Sequence, residues 1–214
     1  MTTMLGLREV QSKSEDNMLI PFESHGIKAM TMGNLVEPDR ALIWRGPRAH
    51  SAFNQLATQT KWGDLDYLIV DLPPGTGDVP LSLAQLLPLT GAVIVCTPQL
   101  VAQDDAKRAV RMFQQLGVPI LGLVENMSYF VADDGKEYDI FGKGGGEQLA
   151  ATMNIEYLGD IPIHPALRIA ADSGTPLANW DINELISNSL NTFCKRTVVA
   201  ASTATKDRPT MTIN

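Results

Sequence analysis

Asp71 closes the apolar run Tyr67-Leu68-Ile69-Val70, and Pro73, Pro74, Gly75 and Gly77 follow at once. A short apolar run bounded by turn residues predicts a strand buried on both faces. Open α/β sheets hold ligands at the carboxyl ends of their strands, so Asp71 is a candidate ligand residue. Mg²⁺ takes hard oxygen ligands and keeps several waters, so one carboxylate can hold it through those waters. The prolines fix φ and remove two backbone donors. Gly75 and Gly77 let bare N–H groups approach a ligand, which is how a terminal phosphate is cradled. A buried strand leaving through a Pro/Gly turn, capped by Asp71, accounts for Asp71 alone; the attached PPGTGD string favours phosphate chemistry.

Other polar residues carry weaker signals. Asn126 ends the apolar run Ile120–Val124 and Glu125; its amide offers both a donor and an acceptor, to a ligand or to the turn that it caps. Asp78 either orients the Gly-rich segment or caps a helix that begins at Val79. Gly159 to Ile163 reads as a Gly/Pro turn between short strands. The string GKGGG at Gly142–Gly146 predicts a flexible turn into a helix. It is not a phosphate loop, because Lys143 is followed by Gly144 rather than by a hydroxyl residue. No Gly-x-x-x-x-Gly-Lys-Ser/Thr string occurs in the chain. His25, His50 and His164 lack ligand spacing.

These residues need a frame, and the chain of 214 residues can supply one packed α/β domain. Residues 8–18 read as a polar surface loop. Ile27–Met32, Tyr67–Val70, Ala92–Cys96 and Ile120–Val124 read as strands. Helical spacing predicts helices at 49–56, at 79–87, from Gln103 to Leu116 with Gly117 as its stop, at 144–153, at 167–171 and from Ile182 to Phe193. Asp104 and Asp105 stand at the expected start of the third of these. Residues 131–139 predict a hairpin turning at Asp134-Gly135. Alternating strands and helices give a doubly wound α/β fold with a mostly parallel sheet. Residues 1–196 form its single domain, and 197–214 an unstructured tail.

Net charge of −7 argues against a general nucleic-acid binder. No apolar run is long enough to span a bilayer. The amino terminus has no signal-peptide core, and two distant cysteines suit a reducing compartment, so a cytoplasmic location is expected.

DLPPGTGD at Asp71–Asp78 resembles the Walker B and switch II region of the Mrp (ApbC-like) family of P-loop ATPases, iron–sulfur cluster carriers related to MinD and ParA. IWRGP at Ile43–Pro47, WGDLDYL at Trp62–Leu68, TGAVIVCTPQ at Thr90–Gln99, ENMSYF at Glu125–Phe130, IFGKGGG at Ile140–Gly146 and LGDIP at Leu158–Pro162 match in order. The resemblance implies that the chain is the carboxyl-terminal portion of such a protein, without the P-loop, its helix and the strand beneath. It implies ATP with Mg as cofactor, Asp71 holding Mg through water, and Gly75 and Gly77 sensing the γ-phosphate. Asn126 would read the adenine ring, with Asp160, Ile161 and Pro162 flanking it. Arg45 would contact phosphate or a partner, against the alternative of a surface ion pair. A homodimer delivering clusters to apo iron–sulfur proteins is the implied working unit.

The family's Cys-x-x-Cys pair is replaced here by Val131-Ala132-Asp133-Asp134, and aspartates are poor ligands for such clusters. Cys96 reads as a core residue and Cys194 as a free surface thiol. The resemblance therefore predicts a cluster carrier without its usual ligands. The alternative is a nucleotide-free dimerising scaffold or decayed copy. A MinD-like or ParA-like positioning ATPase ranks last, because neither a basic membrane helix nor a basic surface is present.

Overall fold

The computed structural model describes residues 1–8, 10–34, 46–72, 78–132 and 134–206. In chain order the elements are β1 (Lys13–Glu15), β2 (Met18–Ile20), β3 (Phe22–Ser24), β4 (Ile27–Ala29), α1 (Gly46–Thr58), α2 (Asp78–Leu86), β5 (Ala92–Cys96), α3 (Leu100–Gln115), β6 (Ile120–Val131), β7 (Glu137–Tyr138), α4 (Gly145–Met153), β8 (Tyr157–Ile163), α5 (Pro165–Ser173), α6 (Asn179–Ile182) and α7 (Glu184–Lys206). They form two compact units, one of Met1–Leu87 with Ala166–Ala178, the other of Pro88–Pro165 with Asn179–Asn214.

The first unit opens with two antiparallel hairpins, β1–β2 and β3–β4. Their turn pairs, Asp16-Asn17 and His25-Gly26, all have positive φ, between 51° and 77°. Paired positive φ values match the twist of hairpin strands and favour Asn, Asp and Gly. The expected loop over residues 8–18 is therefore corrected to a hairpin, whose signal was Asp16-Asn17. The expected strand at 27–32 shortens to β4, followed by a 3-10 turn at Met32–Asn34. Backbone bonds from Leu19 to Gln59 and from Lys61 to Leu19 tie β2 to the residues after α1. Leu7, Leu19, Ala29, Phe53, Leu56 and Leu83 are buried in this unit.

Residues 65–72 depart from expectation. They form no strand, and Ile69 is 89% exposed. A strand apolar on both faces is stable only when neighbours pair both its edges; none of the described residues pairs with this run. Residues 35–45, with Arg45, and 73–77, with Gly75 and Gly77, lie outside the described residues, as does Asp133.

The second unit is a sheet built on β6, parallel to β5 on one side and to β8 on the other, with β7 antiparallel at its far end. α3 packs on β5, α4 on β6, and α7 on β8 and β6. Parallel strands covered by helices are the α/β architecture expected. Ile94, Val110, Phe113, Leu123, Leu149, Leu158 and Ile186 are buried there.

Several expected boundaries move. α3 begins at Leu100, so Asp104 and Asp105 fall in its second turn, paired with Lys107 and Arg108. Gln103 is buried and donates to the Pro98 carbonyl at 2.7 Å. The predicted turn at Gly159 is instead part of β8, where Gly159 adopts φ 126°. Arg196 donates to the Tyr157 carbonyl on that strand. The tail expected from Thr197 is helical as far as Lys206. Thr197, Thr203 and Thr205 each satisfy a hydroxyl on the carbonyl four residues back, which lets these residues continue the helix. No described helix is long and apolar enough to cross a membrane.

Candidate functional site

Midway along β6 the side chain of Glu125 is fully buried, so the strand runs on past the expected end at Glu125-Asn126. Oε1 accepts from Ser128 Oγ and from the Gly144 amide at 3.1 Å, and Oε2 accepts from the Gly146 amide. Three donors and no acceptor surround it, and two of those donors stand at the start of α4, where the helix dipole favours negative charge. The GKGGG string is thus a tethered entry to α4, where a flexible turn was expected. Two of its glycines, Gly145 and Gly146, are required by space. A Cβ on Gly146 would lie 2.9 Å from Glu125 Cβ, and one on Gly145 2.6 Å from the Pro98 carbonyl oxygen. Gly146→Ala is expected to cost about 1–3 kcal/mol by overpacking, measured by urea denaturation. The sequence reading missed Glu125. Its signal was an acid directly after an apolar run, with a Gly-rich source of amides downstream.

Asn126 follows. Its Oδ1 accepts from the Met127 amide at 3.0 Å, and Met127 has φ 56°. Across the sheet Asn126 is the register partner of Ile161, and Glu125 that of Asp160. The register then slips, so that Phe130 faces Ile163, and residues 127–129 bulge outward. Asn126, Asp160 and Ile161 are part-buried and Pro162 is buried. The structure therefore brings these four predicted residues together on two adjacent parallel strands, where the pairing of β6 with β8 is interrupted.

Asp160 is held above the usual carboxylate range, first by burial and then by the charge of Glu125, with Lys143 opposing. Its folded pKa lies above its unfolded value. The resulting stability is complete below about pH 4 and is lost as pH rises through the folded pKa. Asp160→Asn is therefore expected to melt higher than the parent at pH 7, with the difference shrinking towards pH 4. Thermal melts at the two pH values check this.

Asp71 belongs to the other unit and is exposed. Of the residues expected beside it on the phosphate side, Gly75 and Gly77 lie outside the described residues. Among the described residues there is no cluster of three or more His, Cys, Asp or Glu side chains able to hold a metal ion.

The model of the NUBPL iron-transfer P-loop NTPases, within the ParA group, matches residues 1–198. The chain belongs to this family. Among NUBPL-family relatives, an iron–sulfur cluster carrier protein of Synechocystis is 46% identical over 200 residues, covering 91% of this chain and 57% of the relative. The iron–sulfur cluster transfer protein NUBPL of Dictyostelium discoideum is 53% identical over 165 residues, covering 77% and 51%. The chain thus spans about half the length of the curated relatives it matches. In shape it is similar to a nucleotide-binding protein of Archaeoglobus fulgidus solved with ADP, with TM-score 0.69 and 34% identity over 82% of this chain and 69% of that one. The Mrp-like resemblance and the P-loop NTPase fold read from the motifs both stand.

The cysteines do not suit the cluster chemistry carried in the names of these NUBPL-family relatives. Burial pushes the Cys96 thiol up to about 11, and the Cys194 thiol is also raised by burial. Thiolates are the cluster ligands, and Cys96 is buried while Cys194 is exposed and far away in sequence, so the two form no Cys-x-x-Cys pair. Anaerobic reconstitution of this chain with iron and sulfide is expected to leave no stable brown chromophore. A chromophore that survives desalting would contradict this.

Proposed function

We propose that this chain supplies the base-binding side of an adenine-nucleotide site in an iron–sulfur cluster carrier. The observation that carries the reading is the pairing of Asn126 with Ile161 across β6 and β8, beside Asp160 and Pro162 and next to the break in that pairing. With Oδ1 engaged by Met127, the Asn126 amide keeps its two N–H donors for a ligand acceptor. Asp71 is a hard, exposed carboxylate suited to Mg²⁺ through water, with Gly75 and Gly77 as its phosphate-side companions. MgATP, when bound, would supply a γ-phosphate whose hydrolysis is coupled to conformational change. This chain's own residues orient the base.

β5 pairs only with β6 among the described strands, and Val95 on it is 60% exposed. An open edge on a parallel sheet invites a further strand. We assign that place to the strand beneath a phosphate loop, since this sequence has no such loop. The proposed working unit is a cytoplasmic homodimer that serves apo iron–sulfur proteins, with the cluster as cargo and with ligands other than a Cys-x-x-Cys pair of this chain. The relatives' names support the cluster-carrying part of that reading.

Titration of isotope-labelled chain with AMP tests the base side. Chemical-shift changes are expected at the Asn126 side-chain amide and at the Ile161 backbone amide. Changes confined to other parts of the chain would overturn the assignment.

A further inference from the structure

We propose that Glu125 is a positioning residue: one buried carboxylate clamps both the bulge that presents Asn126 and the entry to α4. The proposal rests on Asn126 as the base contact, and its test requires no nucleotide.

At its far side the bulge is held through Tyr129, which bonds Ser189 and carries Lys143 over its ring at 5.0 Å; its near side has lost the sheet pairing. Between Asn126 and Phe130 the pairing with β8 is interrupted, since Asn126 faces Ile161 and Phe130 faces Ile163. Met127 sits there in the left-handed region, at φ 56°, with its side chain 44% exposed. A non-glycine residue held in that region must be stabilised by its surroundings. The Met127 amide is tied back to Asn126 Oδ1, and the bond from Ser128 Oγ to Glu125 closes the four residues into a loop. Ser128 is itself buried. The anchor is thus a fully buried side chain on one side of the bulge, and α4 fixes that anchor through Gly144 and Gly146.

A carboxylate is suited to this task because it accepts on both oxygens. A methionine here keeps the volume and the backbone but offers no oxygen acceptor to any of the three donors. A glutamine would not separate the cases, because its amide stays bonded to the Ser128 hydroxyl in either orientation. Glu125 therefore has two outputs: the α4 entry, which any helix cap would serve, and the Asn126 bulge, which only a clamp would serve.

The test is amide hydrogen exchange on the full chain, comparing the parent with Glu125→Met and Ser128→Ala. In Glu125→Met, exchange at Met127 should accelerate at least about tenfold together with Gly144 and Gly146, while Leu123 and Val124 in the interior of β6 keep their protection. In Ser128→Ala, which leaves Glu125 on the glycine amides, Met127 should accelerate and the glycines should not. If only the glycine amides respond in Glu125→Met, the carboxylate merely caps α4 and the proposal falls. It falls equally if Met127 is unchanged in Ser128→Ala, or if all these amides accelerate by one common factor in both variants. Failure of the base-contact reading looks different: the exchange pattern is as predicted, but AMP leaves the Asn126 side chain undisturbed.

Discussion

Glu125→Ala is expected to lower the unfolding free energy by about 3–5 kcal/mol. The substitution removes an acceptor shared by three buried or part-buried donors: Ser128 Oγ and the amides of Gly144 and Gly146. Each loses a charge-assisted hydrogen bond worth roughly 1.5–3 kcal/mol. Some of this is offset because a buried charge no longer needs to be desolvated. Water entering the space would recover part of the remainder, which keeps the figure below a simple sum. Small domains have only about 5–15 kcal/mol in hand, so the variant should unfold at distinctly lower urea. A loss below about 1 kcal/mol would show that the three donors find other partners, and that Glu125 does not anchor β6 to α4.

The second expected result concerns nucleotide. ATP is predicted to bind this chain with a dissociation constant near the millimolar range, about a thousandfold weaker than a micromolar site and thus about 4 kcal/mol poorer. Backbone amides at a helix amino terminus are the main clasp for a triphosphate, and the sequence has no Gly-x-x-x-x-Gly-Lys-Ser/Thr string to provide them. Asp71 is exposed, next to residues that pair with no described strand. Through water it can hold Mg²⁺, but a metal held at one point adds little without a phosphate fixed beside it. The proposed base contacts at Asn126 and Asp160–Pro162 would remain, and a few hydrogen bonds at a part-buried surface suit millimolar binding. Removing Mg²⁺ is accordingly expected to change the affinity little.

Much of the second unit was legible in the sequence because its signals were local and its partners lie within these residues. The run Ile120–Val124 became β6, the stripe Ala106, Val110 and Phe113 became the buried face of α3, and Gly117 ended that helix at φ 70°. The run Tyr67–Val70 has the same composition as those strands and yet is exposed. Apolar residues state a demand for partners, and composition alone does not show whether the partners are supplied. Gly159 misled in the opposite way: read as a turn, it is accommodated within β8 between Leu158 and Asp160. Of the candidate site, Asn126, Asp160, Ile161 and Pro162 came from motif resemblance, and the register of β6 with β8 brings them together. Glu125 escaped notice because its partners are backbone amides 19 and 21 residues downstream. Backbone donors carry no side-chain signature in a sequence.

On the proposed reading the base contacts lie at Asn126 and Asp160–Pro162 while the sequence offers no Gly-x-x-x-x-Gly-Lys-Ser/Thr clasp, and one titration tests this most directly. A fluorescent ATP analogue would be titrated into the 214-residue chain with and without Mg²⁺. The expected outcome is no saturation below about a millimolar, with similar weak curves in both conditions and competition by AMP. Saturable binding in the micromolar range that requires Mg²⁺ would contradict the account.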